Sequence, residues 1–318
     1  MKRMRAKVFC VFGAWLAVQS CQSPKNEVAT TPLPVVTSLR GEPFFEPTRS
    51  AEAQALLDSN LRVAKANFET DATEENYIWY GRREAYLAHY QRAIEIFTEG
   101  IAGYPQSFRL YRHRGHRYIT LRKFDLAVAD LEKAATLMQG APLEIEPDGQ
   151  PNKLNQPLSN TQFNIWYHLG LAYYLQGDWQ KAIAAYKECW AVSVNDDLKI
   201  ATADWLYMAL QRAGKKDQAA NVLAMLPPEL NIIENDSYHQ RLQLYAGKIA
   251  PEQVLHVDGS TDDRDLAIAT QGYGVGNWYL YNGNPAKARE IFEQVVQGNQ
   301  FAAFGFIAAE VELSRDSK

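Results

Sequence analysis

The sequence predicts an all-α solenoid, built from about six helical hairpins with capping helices. Within residues 163–196, two apolar segments with helical periodicity flank a Gly-Asp break at 177–178. Small residues recur at an interval of 34: Gly81 to Gly115, and Ala93 to Ala127. A single hairpin cannot bury both of its faces, so hairpins repeated at this interval are expected to stack on one another.

The hairpin at 163–196 explains why small residues sit at fixed places. Gly170 lies in the middle of the first helix, where glycine costs about 1 kcal/mol against alanine. That cost is understandable if the second helix crosses close by, with Ala182 small at the same crossing. Large aromatic side chains at Trp166 and Tyr186 fill the wider gaps.

The same spacing locates the other units of a solenoid over residues 48–318. From Gly115 to Gly170 is 55 residues, one repeat plus a 21-residue insertion at 142–162, which is acidic and turn-rich. That insertion is either a functional loop or a solvated spacer. An N-terminal helix over 50–68 and a C-terminal amphipathic helix within 303–318 are predicted to cap the stack. The predicted repeats are 74–107, 108–141, 163–196, 200–233, a degenerate unit at 234–268, and 269–302.

The pattern Trp166, Leu169, Gly170, Tyr173, Gly177, Ala182 and Tyr186 resembles a tetratricopeptide repeat. The resemblance implies a right-handed superhelix whose concave groove is lined by the first helix of each repeat. It further implies that the groove holds a protein or an extended peptide. Transferred to this chain, the groove positions are Arg82, Tyr86, Arg109, Arg112, His116, Asn164, Tyr167, Tyr174, Tyr273, Asn277 and Tyr281.

Those positions make the first half of the groove basic and the later half rich in tyrosine and amide groups. Arginine forks bind carboxylates bidentately, so an acidic or extended peptide is the predicted partner. The alternative is that the arginines pair with Glu75, Glu84 or the acidic insertion and are solvated. The lysine and asparagine set of carboxylate-clamp repeats is absent.

The N-terminus predicts an exported protein. A basic start is followed by an apolar run of 13 residues, VFCVFGAWLAVQS, which is typical of a signal peptide over 1–20. The residues before Cys21 resemble a lipobox, which implies a lipid-anchored (palmitate-bearing) lipoprotein at the outer membrane of the cell envelope, facing the periplasm. An ordinary signal peptidase site is the alternative. Residues 22–47, rich in Pro and Thr, are predicted to be an extended tether.

Charge and cysteine content exclude some classes of function. The chain carries 33 basic and 37 acidic residues, a net charge of −4, and loses four of the basic residues with the signal peptide. The resulting net charge of −8 argues against nucleic-acid binding. Cys189 would be the one cysteine in the mature fold, expected to be buried and inert, so no internal disulfide is predicted.

Catalytic and metal motifs are weak. His113 and His116 are three residues apart without a carboxylate or thiolate nearby, so no metal is expected. Gly272, Gly274 and Gly276 fall inside a predicted helix with no strand before them, which argues against a nucleotide loop. No enzyme and no cofactor are predicted.

The predicted function is therefore a non-enzymatic protein- or peptide-binding scaffold on a bacterial membrane surface. Its layout is similar to that of repeat-bearing lipoproteins that serve as scaffolds for envelope assembly. The alternative is a lipoprotein that binds a sugar or another small solute in the tyrosine-rich groove.

Overall fold

The computed structural model describes residues 33–149, 152, 154–256 and 261–315, and this part of the chain is all-α apart from one short β-hairpin. The predicted signal peptide, Cys21 and the first part of the tether, up to residue 32, lie outside the described residues. In chain order the α-helices are Ala51–Thr70 (α1), Glu74–Tyr86 (α2), Tyr90–Gly103 (α3), Phe108–Thr120 (α4), Phe124–Leu137 (α5), Thr161–Gln176 (α6), Trp179–Ala191 (α7), Asp196–Arg212 (α8), Lys216–Ala224 (α9), Asp236–Tyr245 (α10), Pro251–Leu255 (α11), Thr261–Ala267 (α12), Tyr273–Tyr281 (α13), Pro285–Gln297 (α14) and Phe304–Arg315 (α15).

Successive helices pack as hairpins that stack on their neighbours. The pairs α2–α3, α4–α5, α6–α7, α8–α9 and α13–α14 each pack closely, and α1 covers α2. A single π-helical turn, Ile268–Gly272, joins α12 to α13. The degenerate unit is represented by the two short helices α10 and α11. This arrangement confirms the predicted all-α repeat fold.

The small residues mark the points where the helices of a hairpin cross. Each glycine at this repeated position contacts the side chain of the residue 16 positions later in the chain. A Cβ would lie 2.3 Å from the ring of Phe97 at Gly81, 2.8 Å from Leu131 at Gly115, 2.7 Å from Tyr186 at Gly170 and 2.5 Å from Phe292 at Gly276. The matching alanines are fully buried: Ala93, Ala127, Ala182, Ala219 and Ala288. The close crossing predicted from Gly170 and Ala182 is therefore confirmed.

The turn inside each of five hairpins adopts the same left-handed conformation. Glycine supplies it at Gly177, Gly214 and Gly283, with φ between 72° and 83°. In the first two repeats the turn residue is not glycine: Ala88 has φ 66° and Arg122 has φ 59°. These five turn positions have the same spacing as the glycines and alanines at the helix crossings. The backbone turns and the small side chains therefore follow the same repeat.

Gly272, Gly274 and Gly276 leave room for side chains of the helices packed against them. A Cβ at Gly272 would lie 2.7 Å from Val295, and a Cβ at Gly274 would lie 2.2 Å from Nε of Arg241. Gly272 ends the π-helical turn, and Gly274 and Gly276 lie in α13. These glycines serve helix packing.

The C-terminal helix α15 differs from the predicted amphipathic cap. Residues 305–313 are all buried, because both faces of the helix are covered. Glu310 pairs with Arg122 at 2.7 Å, and Glu312 pairs with Arg212 at 2.7 Å. Arg315 donates to the carbonyl oxygen of Leu175 at 3.0 Å. The helix therefore lies among the second, third, fourth and last repeats.

Residues 33–47 also differ from the predicted extended tether. They form an antiparallel hairpin of Val36–Thr37 (β1) and Pro43–Phe44 (β2). Phe44 stacks on Phe301 with 5.0 Å between ring centroids, and the Leu39 N–H donates to Glu310 at 2.5 Å. The proline-rich composition concealed the two apolar side chains that dock this hairpin, the buried Val36 and the half-buried Phe44.

Cys189 is buried in α7, as predicted. Its thiol lies 3.3 Å from the hydroxyl of Thr202. Burial raises the pKa of Cys189 to about 12, so the reactive thiolate is disfavoured.

Candidate functional site

The basic half of the predicted groove lies where α2 and α4 pack side by side. Arg82 and Tyr86 come from α2, and Arg112 and His116 come from α4. These four residues, with Ala85, Phe97, His113, Arg117 and Glu146, line a cavity of about 110 Å³. Arg109, also on α4, lies beside it and pairs with Glu75 at 2.5 Å.

The insertion folds back over this basic surface. Glu146 pairs with Arg112 at 2.8 Å, and the two side chains are only 9% and 8% exposed. Arg82 donates to the carbonyl oxygen of Pro147 at 2.9 Å, and Arg83 donates to that of Gly149 at 3.0 Å. Residues 146–149 therefore lie across the arginines, with an acidic side chain inserted between α2 and α4.

The two ends of the insertion hold it in this position. Glu146 N–H donates to the carbonyl oxygen of Ser159 at 3.0 Å, and Thr161 N–H donates to that of Glu144 at 2.8 Å. Asn160 then caps α6 by accepting from Phe163 N–H at 2.7 Å. Because these arms pair, residues 146–149 are held against α2 and α4.

Gly149 is required where the loop passes Tyr86. A Cβ at Gly149 would lie 1.8 Å from the Tyr86 hydroxyl oxygen. Any larger residue must move the loop or the tyrosine.

The site is electrostatically positive, and its histidines are neutral. Arg112 donates to Nδ1 of His113 at 3.0 Å, which places the remaining imidazole proton on Nε2. The rings of His116 and His168 lie 4.3 Å apart. Burial, together with neighbouring arginines, lowers the pKa of all three histidines well below 6.5. Burial also lowers the pKa of Arg117 to about 10.

The aromatic half of the predicted groove is packed against itself. Tyr273 donates to the hydroxyl of Tyr174 at 2.8 Å, and the Asn277 amide donates to the same hydroxyl at 2.9 Å. All three are fully buried. Tyr167 is also buried and donates to the hydroxyl of Tyr238 at 3.1 Å.

The two remaining groove positions lie apart from the basic cavity. The half-buried Asn164 donates to Ser159 Oγ at 3.1 Å. The Tyr281 ring packs edge-on against Tyr207, with 6.2 Å between centroids. The structure thus separates the predicted residues into a basic group at the insertion and a largely buried aromatic group.

Sequence reasoning missed four residues that shape the basic site: Arg83, Arg117, Glu146 and Gly149. Arg117 belongs to the visible basic run of α4, but Arg114 in the same run pairs with Asp130 instead. The run alone therefore does not say which arginine faces the cavity. The contacts of the insertion depend on pairing of its two ends, for which the local sequence carries no signal.

The described residues contain neither a helix that could span a membrane nor a side-chain cluster that could hold a metal ion. None of the helices in that part of the chain is both long and apolar enough to cross a bilayer. No cluster of three or more His, Cys, Asp or Glu there is arranged to hold a metal ion.

Comparison with known proteins identifies the repeat. Residues 163–189 match the family model described as Tetratricopeptide repeat. The chain is 27% identical over 128 residues to the small glutamine-rich tetratricopeptide repeat-containing protein 2 of Saccharomyces cerevisiae. That match covers 40% of this chain and 31% of the yeast protein, less than a third of its length. With the glycine and alanine register, these matches show that the chain contains tetratricopeptide repeats.

Solved structures of repeat proteins are also similar. YrrB, described as a TPR protein with an unusual peptide-binding site, is 15% identical with a TM-score of 0.42, over 75% of this chain and 95% of that chain. MamA (AMB-1) is 17% identical with a TM-score of 0.37, over 58% of this chain and 97% of that chain. At these identities and scores neither likeness says what this chain binds. Tetratricopeptide repeats are generally non-catalytic scaffolds, which supports a role in protein–protein interaction.

Proposed function

We propose that this protein is a non-enzymatic scaffold on a bacterial membrane surface that binds an acidic, extended segment of a partner protein across α2 and α4. The observation that carries the proposal is the insertion itself. Residues 146–149 present one carboxylate and two backbone carbonyl oxygens to Arg112, Arg82 and Arg83. An extended acidic peptide offers the same groups.

The insertion then competes with the partner. A tethered segment acts at an effective concentration that reaches the millimolar range for short linkers. A partner must therefore displace the loop or bind with it. Arg109, held by the half-exposed Glu75 outside the cavity, extends the basic surface beyond the loop.

A labelled peptide with the sequence of residues 143–149, LEIEPDG, tests this proposal. Gly149→Ala forces the loop away from Tyr86, so this variant should bind the peptide at least tenfold more tightly than the wild type by fluorescence anisotropy. Gly103→Ala is the matched control, because a Cβ there meets no atom within 4 Å. An additional Arg82→Gln/Arg109→Gln change should abolish the gain.

A second peptide, LQIQPNG, separates charge from shape. It should bind at least tenfold more weakly than LEIEPDG. Equal binding of both peptides, or no binding by the Gly149→Ala variant, would remove the basis of the proposal.

The membrane location rests on the N-terminal sequence. We propose that Cys21 carries the lipid that anchors the chain at the outer membrane, facing the periplasm. Two or more acyl chains, at about 0.8 kcal/mol per buried methylene group, hold a protein stably on a bilayer. Intact-mass measurement of the purified membrane form should show a diacylglyceryl-modified N-terminal cysteine. A Cys21→Ser variant found in the membrane fraction to the same extent would contradict this location.

The small-solute alternative depended on the aromatic half of the groove. Tyr174, Tyr273 and Asn277 satisfy one another's hydrogen bonds and are buried. They offer no accessible aromatic surface for a sugar.

A further inference from the structure

A second cavity lies between α5, α6 and α7, and it shares no lining residue with the basic site at α2 and α4. Its volume of about 480 Å³ falls within the range of roughly 300–1,000 Å³ that is typical of ligand sites. Small side chains leave this space open: Ala135 comes from α5, and Ala184 and Ala185 come from α7. The half-buried Trp166 of α6 forms an aromatic wall that a ligand can reach.

Two exposed carboxylates also line this cavity. Glu132 comes from α5 and Glu188 from α7, and neither forms an ion pair within the described part of the chain. Glu132 accepts a hydrogen bond from the hydroxyl of Tyr173. Lys181, the one cation among the described lining residues, pairs with Asp178 at 3.7 Å, and its Nζ lies 5.2 Å from the centre of the Tyr173 ring. Because Lys181 can neutralise at most one of the two glutamates, the cavity favours a positively charged ligand.

Another tryptophan of this protein shows which cation such a wall accepts. Arg212 lies 4.6 Å from the ring centre of Trp179 and pairs with Glu312 at 2.7 Å. Arg315 lies 5.1 Å from the same ring and pairs with the same carboxylate at 2.7 Å. A planar guanidinium can stack on an aromatic face while its N–H groups bind a carboxylate. Among the described residues no cation lies over the ring of Trp166, although two glutamates line its cavity.

We propose that this cavity binds an arginine side chain of a partner protein. The guanidinium lies over the ring of Trp166 and donates to Glu132 and Glu188, and small residues on either side of the arginine fit against the alanines of α5 and α7. A lysine ammonium is a point charge without the planar fork, so lysine is the weaker ligand. The inference goes beyond the proposed function, because the cavity and the basic site prefer ligands of opposite charge and have no residue in common.

The indole N–H signals in NMR spectra of the isotope-labelled full chain report on this site. A Trp166→Phe variant identifies the Trp166 signal, which should shift and saturate during titration with the peptide acetyl-Gly-Ala-Arg-Ala-Gly-amide. The same peptide with citrulline, whose neutral urea group replaces the guanidinium, should bind about tenfold more weakly. The lysine peptide should also bind more weakly than the arginine peptide. Equal binding of the arginine peptide and either counterpart, or no shift of the Trp166 signal, would overturn the inference.

Glu132→Gln/Glu188→Gln is the decisive variant, and Glu290→Gln/Glu293→Gln, which removes two exposed carboxylates of α14, is its control. The first should weaken binding of the arginine peptide about tenfold and melt at the temperature of the wild type, since both side chains are exposed. Ala184→Leu fills the cavity without a change of charge and should weaken binding to a similar extent. Unchanged affinity in either cavity variant would overturn the inference, and so would an equal loss in the control. Binding of LEIEPDG tests the basic site separately, so the two proposals can fail independently.

Discussion

Single residues decide whether the basic site is stable. The side chains of Arg112 and Glu146 are both nearly excluded from solvent, so water cannot hydrate either charge if the pair is broken. A buried pair of this kind is costly to break from one side, because the surviving charge is left without its partner. If Glu146 is removed, the guanidinium group of Arg112 is also left close to those of Arg82 and Arg117.

Glu146→Ala should therefore destabilise the protein by about 3 kcal/mol or more, measured by urea unfolding. Arg112→Met/Glu146→Ala should recover most of the loss, since no unpaired charge remains. Glu95→Ala, which breaks an exposed pair with Arg92, is the control and should cost less than about 1 kcal/mol. A double variant that is no more stable than Glu146→Ala would show that the loop contacts, and not the charge pair, stabilise this region.

The buried histidines predict the pH dependence of stability. Burial and nearby arginines lower the pKa of His113, His116 and His168 well below 6.5 in the folded protein. The unfolded chain therefore binds more protons than the folded protein below about pH 6.5, so the free energy of unfolding falls as the pH decreases. Each histidine contributes roughly 1 kcal/mol between pH 6.5 and 5.5.

Urea unfolding at pH 7.5, 6.5 and 5.5 measures this slope. His116→Asn/His168→Asn should reduce the loss between pH 6.5 and 5.5 by about 2 kcal/mol. His239→Asn, on α10, controls for effects outside the cluster. The same slope in the double variant and in the wild type would assign the acid sensitivity to other groups.

At the scale of elements, the turn within the second hairpin has a left-handed backbone conformation at a residue that is not glycine. Arg122 occupies a left-handed position that glycine fills in three other repeats. Its side chain explains this choice: Arg122 donates to Glu310 and to the carbonyl oxygen of Phe301, and both side chains of the ion pair are at most 3% exposed. The strain of the turn is offset by the contact that it allows.

Arg122→Gly should therefore destabilise the protein by about 3 kcal/mol, although it relieves about 1 kcal/mol of backbone strain, because Glu310 is left buried without a cation. Ala88→Gly, at the same turn position of the first repeat, should be within about 0.5 kcal/mol of the wild type. There the relief of strain is offset by loss of a buried methyl group, worth about 0.8 kcal/mol. Equal effects of the two changes, read from thermal unfolding, would rule out a special role for the ion pair.

An element could be predicted from the sequence when its main contacts lie within one repeat, and could not when they join segments far apart in the sequence. The hairpins were predictable, because Gly170 and Tyr186 reveal a crossing within one repeat. The insertion and α15 were not, because Glu146 and Glu310 find their arginines through folding of distant segments. Glu310 and Arg122 are 188 residues apart in sequence. The groove residues transferred by resemblance stay a prediction: the basic group is assembled in one place, whereas the aromatic group lies in the interior.

At the scale of the whole molecule, α15 changes how the repeats depend on each other. In an ordinary solenoid each repeat contacts its neighbours alone, and stability is a sum of local terms. Here one helix joins the second repeat through Arg122, the third through the carbonyl oxygen of Leu175 and the fourth through Arg212. The repeats are thus coupled beyond nearest neighbours.

We therefore expect residues 33–315 to unfold in one cooperative transition, and Glu310→Ala/Glu312→Ala to split it. Loss of both carboxylates leaves the buried Arg122 and the half-buried Arg212 without their carboxylate partners and frees the early repeats from α15. Hydrogen exchange monitored by mass spectrometry should then show α4 and α5 opening at lower urea concentration than α13 and α14. Glu290→Ala/Glu293→Ala, on the exposed face of α14, is the matched control and should keep the transitions coincident. If α4 and α13 still open together in the Glu310→Ala/Glu312→Ala variant, the coupling resides in stacking of adjacent hairpins, and α15 is only a cap.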